Sequence, residues 1–446
     1  MPHKIAIPAG AAEIISVLKS NGFDAYVVGG CVRDSILGRI PKDWDICTSA
    51  QPTQVMECLH SHRIIETGLK HGTVTVIMGA SQYEVTTFRI DGKYSDNRRP
   101  DSVKYVSDIK EDLARRDFKM NAMAYNDEVG LVDPFGGMAD LQNKLISCVG
   151  NPNERFDEDA LRIMRALRFA SVFGFEIDES TSLSIHQSKE LLHNIAAERI
   201  TSELCQLVCG EGVLPVLLNY SDVMSEIIPE LKPCIGFNQN NKYHSYNVYD
   251  HIAVAVSQFT DSDVVVKMAL LLHDIGKPCC YTEDHNGGHF HGHGVHSHKL
   301  AEQALSRMRF DNKTRDAILE LVLYHDATIE PTPKTVRRWL HKIGEDQFFR
   351  LIRMRIADIK AHAPGTQGSR ILKCADLCTL AAVECMNCFS MKDLAINGRD
   401  VMALGVPEGK GVGFILNTLL NMVINGDIKN EKSLLIDKAT ELTTLL

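Results

Sequence analysis

Near residue 155 the hydrophobic pattern of the chain changes its period, and that change constrains the fold more than any single motif. Before it, helical and strand-like segments alternate: AEIISVLKS, DAYVVGG, VRDSILG, DWDICTS, PTQVMECLHS, GTVTVIM and YEVTTFRI. Such alternation predicts an α+β unit, a mixed sheet with helices packed on it. After it, DEDALRIMRALRFASVFG, AERITSELCQLV and GFILNTLLNMVI carry helical periodicity and strand patterns nearly vanish. The rest of the chain is expected to be all-α. Breaks rich in polar residues or proline at 235–247 (IGFNQNNKYHSYN) and 327–335 (ATIEPTPKT) divide that part. The expected units are 1–150, 151–235, 236–335 and 336–446.

Composition excludes several classes of function. With 44% hydrophobic and 24% charged residues over 446 positions, the chain reads as a set of packed globular units. No apolar run approaches the roughly 20 residues that span a bilayer, and the N-terminus lacks a signal-peptide layout. A cytoplasmic protein without membrane partners is expected. Thirteen scattered cysteines read as reduced thiols in a reducing compartment. A net charge of −9 rules out a chain coated in positive charge, so any polyanion must meet a local basic surface. Two stretches offer one: eight Lys or Arg against three acidic residues from Lys334 to Lys360, and four arginines from Arg155 to Arg168.

The stretch VVGGCVRDSILGRIPKDWDICTSA, 27–50, concentrates unusual chemistry. Tyr26, Val27 and Val28 read as a strand end, Gly29-Gly30 as a turn, and the following residues as a helix with Arg33 on its first turn. A glycine pair there lets backbone approach a ligand, and free N–H groups at a helix start suit an anion. Asp43 and Asp45 flank Trp44 in what reads as a short strand, where residues two apart share a face. Two such carboxylates repel unless a cation lies between them, and hard oxygen ligands suit Mg²⁺ with phosphate completing its shell. Taken alone, each feature is more often a plain turn or an exposed strand edge.

Together with Glu84 in YEVTTFR, these elements resemble the core of the polymerase-β-type nucleotidyltransferases. More narrowly, GGCVRDSILGRIPKDWDI is similar to the first motif of class II tRNA nucleotidyltransferases, the CCA-adding enzymes and bacterial poly(A) polymerases. The resemblance implies that Asp43 and Asp45 hold catalytic Mg²⁺, that Gly30 and Arg33 receive a triphosphate, and that Glu84 serves as third carboxylate. RRDFKMNAMAY resembles the second motif, which assigns a nucleotide contact to Arg116. LVDPFGGMADLQNKL resembles the segment closing the catalytic head.

FDEDALRIMRALRFA resembles the family's base-recognition helix. On one α-helix Asp159, Arg162, Arg165 and Arg168 would follow each other at i, i+3 and share a face. A carboxylate only accepts and a guanidinium only donates, so a fixed pair can read one edge of C or A without a template. The resemblance assigns base choice to Asp159 and Arg162, and nucleotide phosphate or sugar to Arg165 and Arg168. Salt-bridged pairs on an amphipathic helix are the bland alternative. The long segment FRIDGKYSDNRRPDSVKYVSDIKEDL matches the place of a loop that CC-only enzymes of the family lack, which argues against a role in adding C alone.

A histidine-dense block follows: VYDHIAV, LLHDIGKP, FHGHGVHS and LYHDATIE. It resembles HD-domain metal-dependent phosphohydrolases, implying ligands among His251, His273, Asp274, His293, His325 and Asp326, with either His325 or Asp326 last. Imidazole with carboxylate suits Mn²⁺, Ni²⁺, Co²⁺, Zn²⁺ or Fe²⁺ better than Mg²⁺.

The resemblance thus implies a nucleotidyltransferase head, a base-recognition neck, an HD domain and a helical, tRNA-binding tail. The implied reaction is template-independent CCA addition to tRNA from CTP and ATP, releasing pyrophosphate. An A-adding enzyme or poly(A) polymerase is the alternative of the same class. An HD phosphohydrolase acting on RNA or nucleotides is the alternative of another, and a non-catalytic RNA-binding protein conflicts with the intact DxD.

Overall fold

The computed structural model describes residues 4–66, 68–92, 102–241, 243–285 and 287–444. It forms two compact units, Met1–Pro229 and Glu230–Leu446. Of the long segment 88–113 that argued against adding C alone, residues 93–101 lie outside the described residues.

In the N-terminal unit the alternating segments form β1 (Ala25–Val28), β2 (Ile46–Thr48), β3 (Arg63–Ile65), β4 (Thr73–Met78), β5 (Ser81–Thr87), the side pair β6 (Arg89–Asp91) and β7 (Val103–Tyr105), β8 (Ala124–Asn126) and β9 (Gly130–Val132). Seven of them make one mixed sheet in the order β3-β4-β5-β2-β1-β8-β9. Only β2 and β5 run parallel. Helices α1 (Ala9–Ser20) and α3 (Pro52–Cys58) pack on the sheet, and α2 (Gly30–Ile36), α4 (Ile109–Ala114) and α5 (Gly137–Asn143) lie in its connections. Alternate residues of β1 and β2 are buried on both faces: Tyr26, Val28 and Cys47 with Phe88, Leu113 and Ala124 on one, Val27 and Ile46 on the other. That explains why the central strands read as continuous apolar runs.

The neck follows as α6 (Pro152–Glu158), α7 (Leu161–Phe173), α8 (Glu179–Ser188), α9 (Ala197–Val208), α10 (Val213–Asn219) and α11 (Ser221–Ile227). Asn151 starts α6 by accepting from the Asn153 N–H, and Gly174, in the left-handed conformation, ends α7. Between them, α7 turns Ile163, Met164, Ala166 and Leu167 inward, against α9 among others.

The second unit is helical as expected: α12 (Val248–Gln258), α13 (Val264–Leu272), α14 (His293–Arg307), α15 (Asn312–Tyr324), α16 (Pro333–Ile343), α17 (Glu345–Lys360), α18 (Gly368–Glu384), α19 (Gly398–Met402), α20 (Lys410–Asn425) and α21 (Lys432–Thr443). Helices α12, α13, α15 and α17 pack on one another around the histidine block, and α19 to α21 close a separate apolar cluster about Val401, Leu419 and Leu435. None of the thirteen cysteines forms a disulfide, Cys385 and Cys388, which are spaced as CxxC, included. Among the described residues no helix is long and apolar enough to cross a membrane.

Candidate functional site

The Gly29-Gly30 turn is a backbone necessity. Gly29 adopts φ 79°, ψ −125°, a region closed to residues with a side chain, and its N–H donates to the Met123 carbonyl. A Cβ on Gly29 would also lie 2.9 Å from Nη1 of Arg116. The turn therefore brings Arg116 against the start of α2, which begins at Gly30 rather than one residue later.

Asp43 and Asp45 do not sit in a strand, as their spacing suggested, but just ahead of β2. The reason is local: β1 leaves the ladder at Gly29, so pairing ends with Val27 opposite Ile46 and one further bond from the Val28 N–H to the Asp45 carbonyl. The parallel register sets Ile46 beside Val85, which brings Asp45 next to Glu84. Partial desolvation, then the Glu84 and Asp43 carboxylates, raise the Asp45 pKa above its ordinary value, with Arg116 alone opposing. Like charge is thus crowded at one spot with little compensation, an arrangement suited to a bound cation. Two carboxylates with substrate phosphate are enough for Mg²⁺, although the three do not form one compact ligand triad.

Beside them opens a cleft of about 370 Å³ lined by Gly30, Arg33, Lys42, Asp43, Asp45 and Arg168. Glu84, Arg116, Asp159, Arg162 and Arg165 lie outside its lining. Arg33 is buried, with Nη1 donating to Asn121 (2.6 Å), Nε to Asp34 (2.8 Å), and its plane over Phe169 and Phe173. Arg39 and Lys42, also in the lining, were not singled out in the sequence; their signal was two cations between the helix and the DxD pair.

The neck corrects a second expectation. Asp159 is not on one helix with Arg162, because its extended backbone (φ −141°, ψ 100°) separates α6 from α7. It starts α7 instead, accepting from the Leu161 N–H, while its other oxygen pairs with Arg199 at 3.2 Å. Arg162 pairs with Glu158 at 2.6 Å and donates to the Arg155 and Arg115 carbonyls. Arg168 pairs with Glu203 at 2.6 Å. Arg165 reaches from α7 to Asp117 of the RRDF motif, at 2.6 Å, and Asp117 also accepts from Asn121.

Burial works against ionised Asp117, but Arg165, the Asn121 amide and Arg162 outweigh it and hold its carboxyl well below the usual range. Because the folded pKa is depressed, this contribution to stability is complete above the unfolded value near about 3.9 and disappears as pH falls through the folded one. Asp117→Ala should cost about 3 kcal/mol at pH 7 by leaving Arg165 without its partner. Urea denaturation should show that loss shrinking as the pH is lowered from about 4 toward 2.

The second unit gathers the predicted histidines. His251 lies on α12, His273 and Asp274 follow α13, His293 opens α14, and His325 and Asp326 follow α15. Two groups of ligand atoms form, each within 4.8 Å: His251, His273 and Asp274, and Asp274, His293 and His325. They share Asp274. Its Oδ2 faces His251 (3.3 Å) and His273 (3.2 Å), and its Oδ1 faces His293 (3.3 Å) and His325 (3.7 Å). Asp326, 3.7 Å from His293, stands at the rim, so His325 belongs to the compact group and Asp326 does not. The sequence reading missed Asp358 of α17, whose Oδ1 is 2.9 Å from His251 and 3.5 Å from His273.

Each ring is aimed from behind. The Nδ1 atoms of His273, His293 and His325 meet the carbonyls of Leu270, Phe290 and Val322 at 2.7–2.9 Å, which turns every Nε2 toward Asp274. Burial opposes charge on His273, yet Asp274 and Asp358 push its pKa up to about 10. Positive charge is thus favoured at His273, beside the two carboxylates, while burial lowers the pKa of His325. His273 Nε2 and Asp274 Oδ2 are buried without a hydrogen bond of good geometry, although Lys277 approaches the latter to 2.6 Å. Orphaned donor atoms on imidazole and carboxylate fit a divalent transition metal.

Residues 25–147 match the family model of the poly A polymerase head domain, and 294–439 match a model of tRNA nucleotidyltransferase domain 2. A curated CCA-adding enzyme of Levilactobacillus brevis is 33% identical over 433 residues, 97% of each chain. The chain belongs to the CCA-adding enzyme family. Another relative, from Geobacillus kaustophilus, is 48% identical over 207 residues, 46% of this chain and 51% of its own length. The crystal structure of the Bacillus stearothermophilus CCA-adding enzyme in complex with CTP superposes with a TM-score of 0.73 at 30% identity, covering 98% of this chain and 97% of that one.

Proposed function

We propose that this protein adds CCA to the 3′ end of tRNA without a nucleic-acid template, consuming CTP and ATP and releasing pyrophosphate. The observation that carries the reading is the crowding of Asp43, Asp45 and Glu84 beside a cleft with basic walls, in a chain of the CCA-adding family. Asp43 and Asp45 hold Mg²⁺, with Glu84 adding negative charge. The metal, when bound, activates the tRNA 3′-hydroxyl and neutralises the pyrophosphate leaving group. Gly30 gives the triphosphate close backbone approach, and Lys42 and Arg39 supply charge that Arg33, held by Asn121 and Asp34, has less freedom to give.

Arg116, pressed against the Gly29 turn, fixes that edge of the site. Base choice falls to Asp159 and Arg162, at the junction of α6 and α7, which exchange their Arg199 and Glu158 partners for the edge of C or A, and Arg165 and Arg168 border the nucleotide. Residues 1–150 form the catalytic head and 151–235 the neck. The α16 face with Lys334 and Lys342 and the helices after it contact the tRNA backbone, in the cytoplasm. Purified protein offered tRNA ending at the discriminator base, then at C and at CC, with each nucleotide separately, should add C, C and A in turn. Addition of A alone would identify an A-adding enzyme, and runs of A a poly(A) polymerase.

A second reading rests on the two ligand groups sharing Asp274. The unit from 236 onward, extended past 335 to take in Asp358, is a metal-dependent phosphohydrolase centre of the HD type. His251, His273, Asp274 and Asp358 hold one divalent transition metal, Mn²⁺, Ni²⁺, Co²⁺, Zn²⁺ or Fe²⁺, and Asp274, His293 and His325 hold a second.

A further inference from the structure

Above the histidine centre lies a cavity of about 320 Å³ whose wall carries two cations, Lys277 and Arg370. They differ in what they have to give. Lys277 is buried and committed, with Nζ 2.6 Å from Asp274 and 2.8 Å from the Gln239 amide oxygen. Arg370 stands exposed on the first turn of α18 and makes no hydrogen bond or ion pair among the described residues. Its charged neighbours include Arg355, which add to the local positive potential.

A guanidinium stays charged at every working pH and offers a planar fork of donors matched to phosphate oxygens. Resting on the metal reading above, we infer that Arg370 grips the phosphoryl oxygens that the metals leave free, and so selects phosphate monoesters over diesters. The charge balance supports the choice. Two divalent ions with Lys277 and Arg370 outweigh Asp274, Asp326 and Asp358, which favours a dianion over a monoanion. A terminal phosphate also keeps three non-bridging oxygens, enough to meet both ions and the fork. A diester has two, one fewer acceptor for the fork.

The test uses the full chain loaded with Mn²⁺, with metal content measured by mass spectrometry and affinity by calorimetry. Inorganic phosphate and phenyl phosphate should bind at least about tenfold more tightly than diphenyl phosphate. Arg370→Ala should weaken phosphate roughly ten- to a hundredfold with metal content unchanged, and Arg370→Lys should recover part of the loss. Wild-type affinity for phosphate in Arg370→Ala at full metal content overturns the inference, as does an equal loss for monoester and diester. Failure of the wild-type chain to take up Mn²⁺ overturns the metal reading itself.

Discussion

Replacing Asp45 by alanine is expected to abolish incorporation of both CMP and AMP into tRNA lacking its CCA end, a loss of roughly a thousandfold or more. Asp45 is the most compromised of the three carboxylates: partial desolvation, Glu84 and Asp43 all disfavour its charge, and Arg116 alone favours it. A raised carboxyl pKa means that ionised Asp45 costs the fold stability at pH values above its folded pKa, and that the cost vanishes when it is protonated. Asp45→Asn should therefore leave thermal stability at pH 7 unchanged or raised while removing activity. Mg²⁺ should raise the melting temperature of the wild-type protein and have a smaller effect on Asp45→Asn. Loss of activity through misfolding would show the opposite stability change. Full incorporation by Asp45→Ala would remove the carboxylates from the mechanism.

The parts of the site visible in the sequence are those whose signal is local. The glycine turn, the DxD pair and the His-Asp pair each lie within a few residues, and the change of periodicity near 155 marks where the sheet ends. What escaped depends on where hydrogen bonding stops or on contacts between distant segments. Alternation placed Asp43 and Asp45 on a strand because it cannot register that Gly29 takes β1 out of the ladder. Helical spacing ran through Asp159, although an aspartate preceding a helix can also accept the N–H two residues on, as it does here. Asp117 sat in plain view within RRDF, but its pairing with Arg165 of the neck has no sequence-local trace.

Asp358 was the hardest to see. RLIRMRIADIK reads as an amphipathic basic helix in which one aspartate would be a solvated residue, and it lies beyond the proline-rich break that was expected to end the unit. Only the packing of α17 on α12 and α13 carries it to His251 and His273.

Asp274→Ala should have the largest effect in the second unit, because this one side chain belongs to both ligand groups. Metal content, measured after loading with Mn²⁺ and desalting, should fall from about two ions per chain to near none. Asp358→Ala, whose carboxylate lies beside His251, His273 and His362, should lose one ion and keep the one held by Asp274, His293 and His325. Without Asp274, Lys277 loses its carboxylate partner in a buried site, which should destabilise this unit by about 3–5 kcal/mol. The Asp358 variant therefore serves as the control that separates loss of a ligand from loss of the fold. CMP and AMP incorporation should persist in Asp358→Ala, since Asp43, Asp45, Glu84 and the cleft beside them lie in the other compact unit. Retention of two ions by a folded Asp274→Ala protein would leave the shared carboxylate without its role, and the paired-metal reading with it.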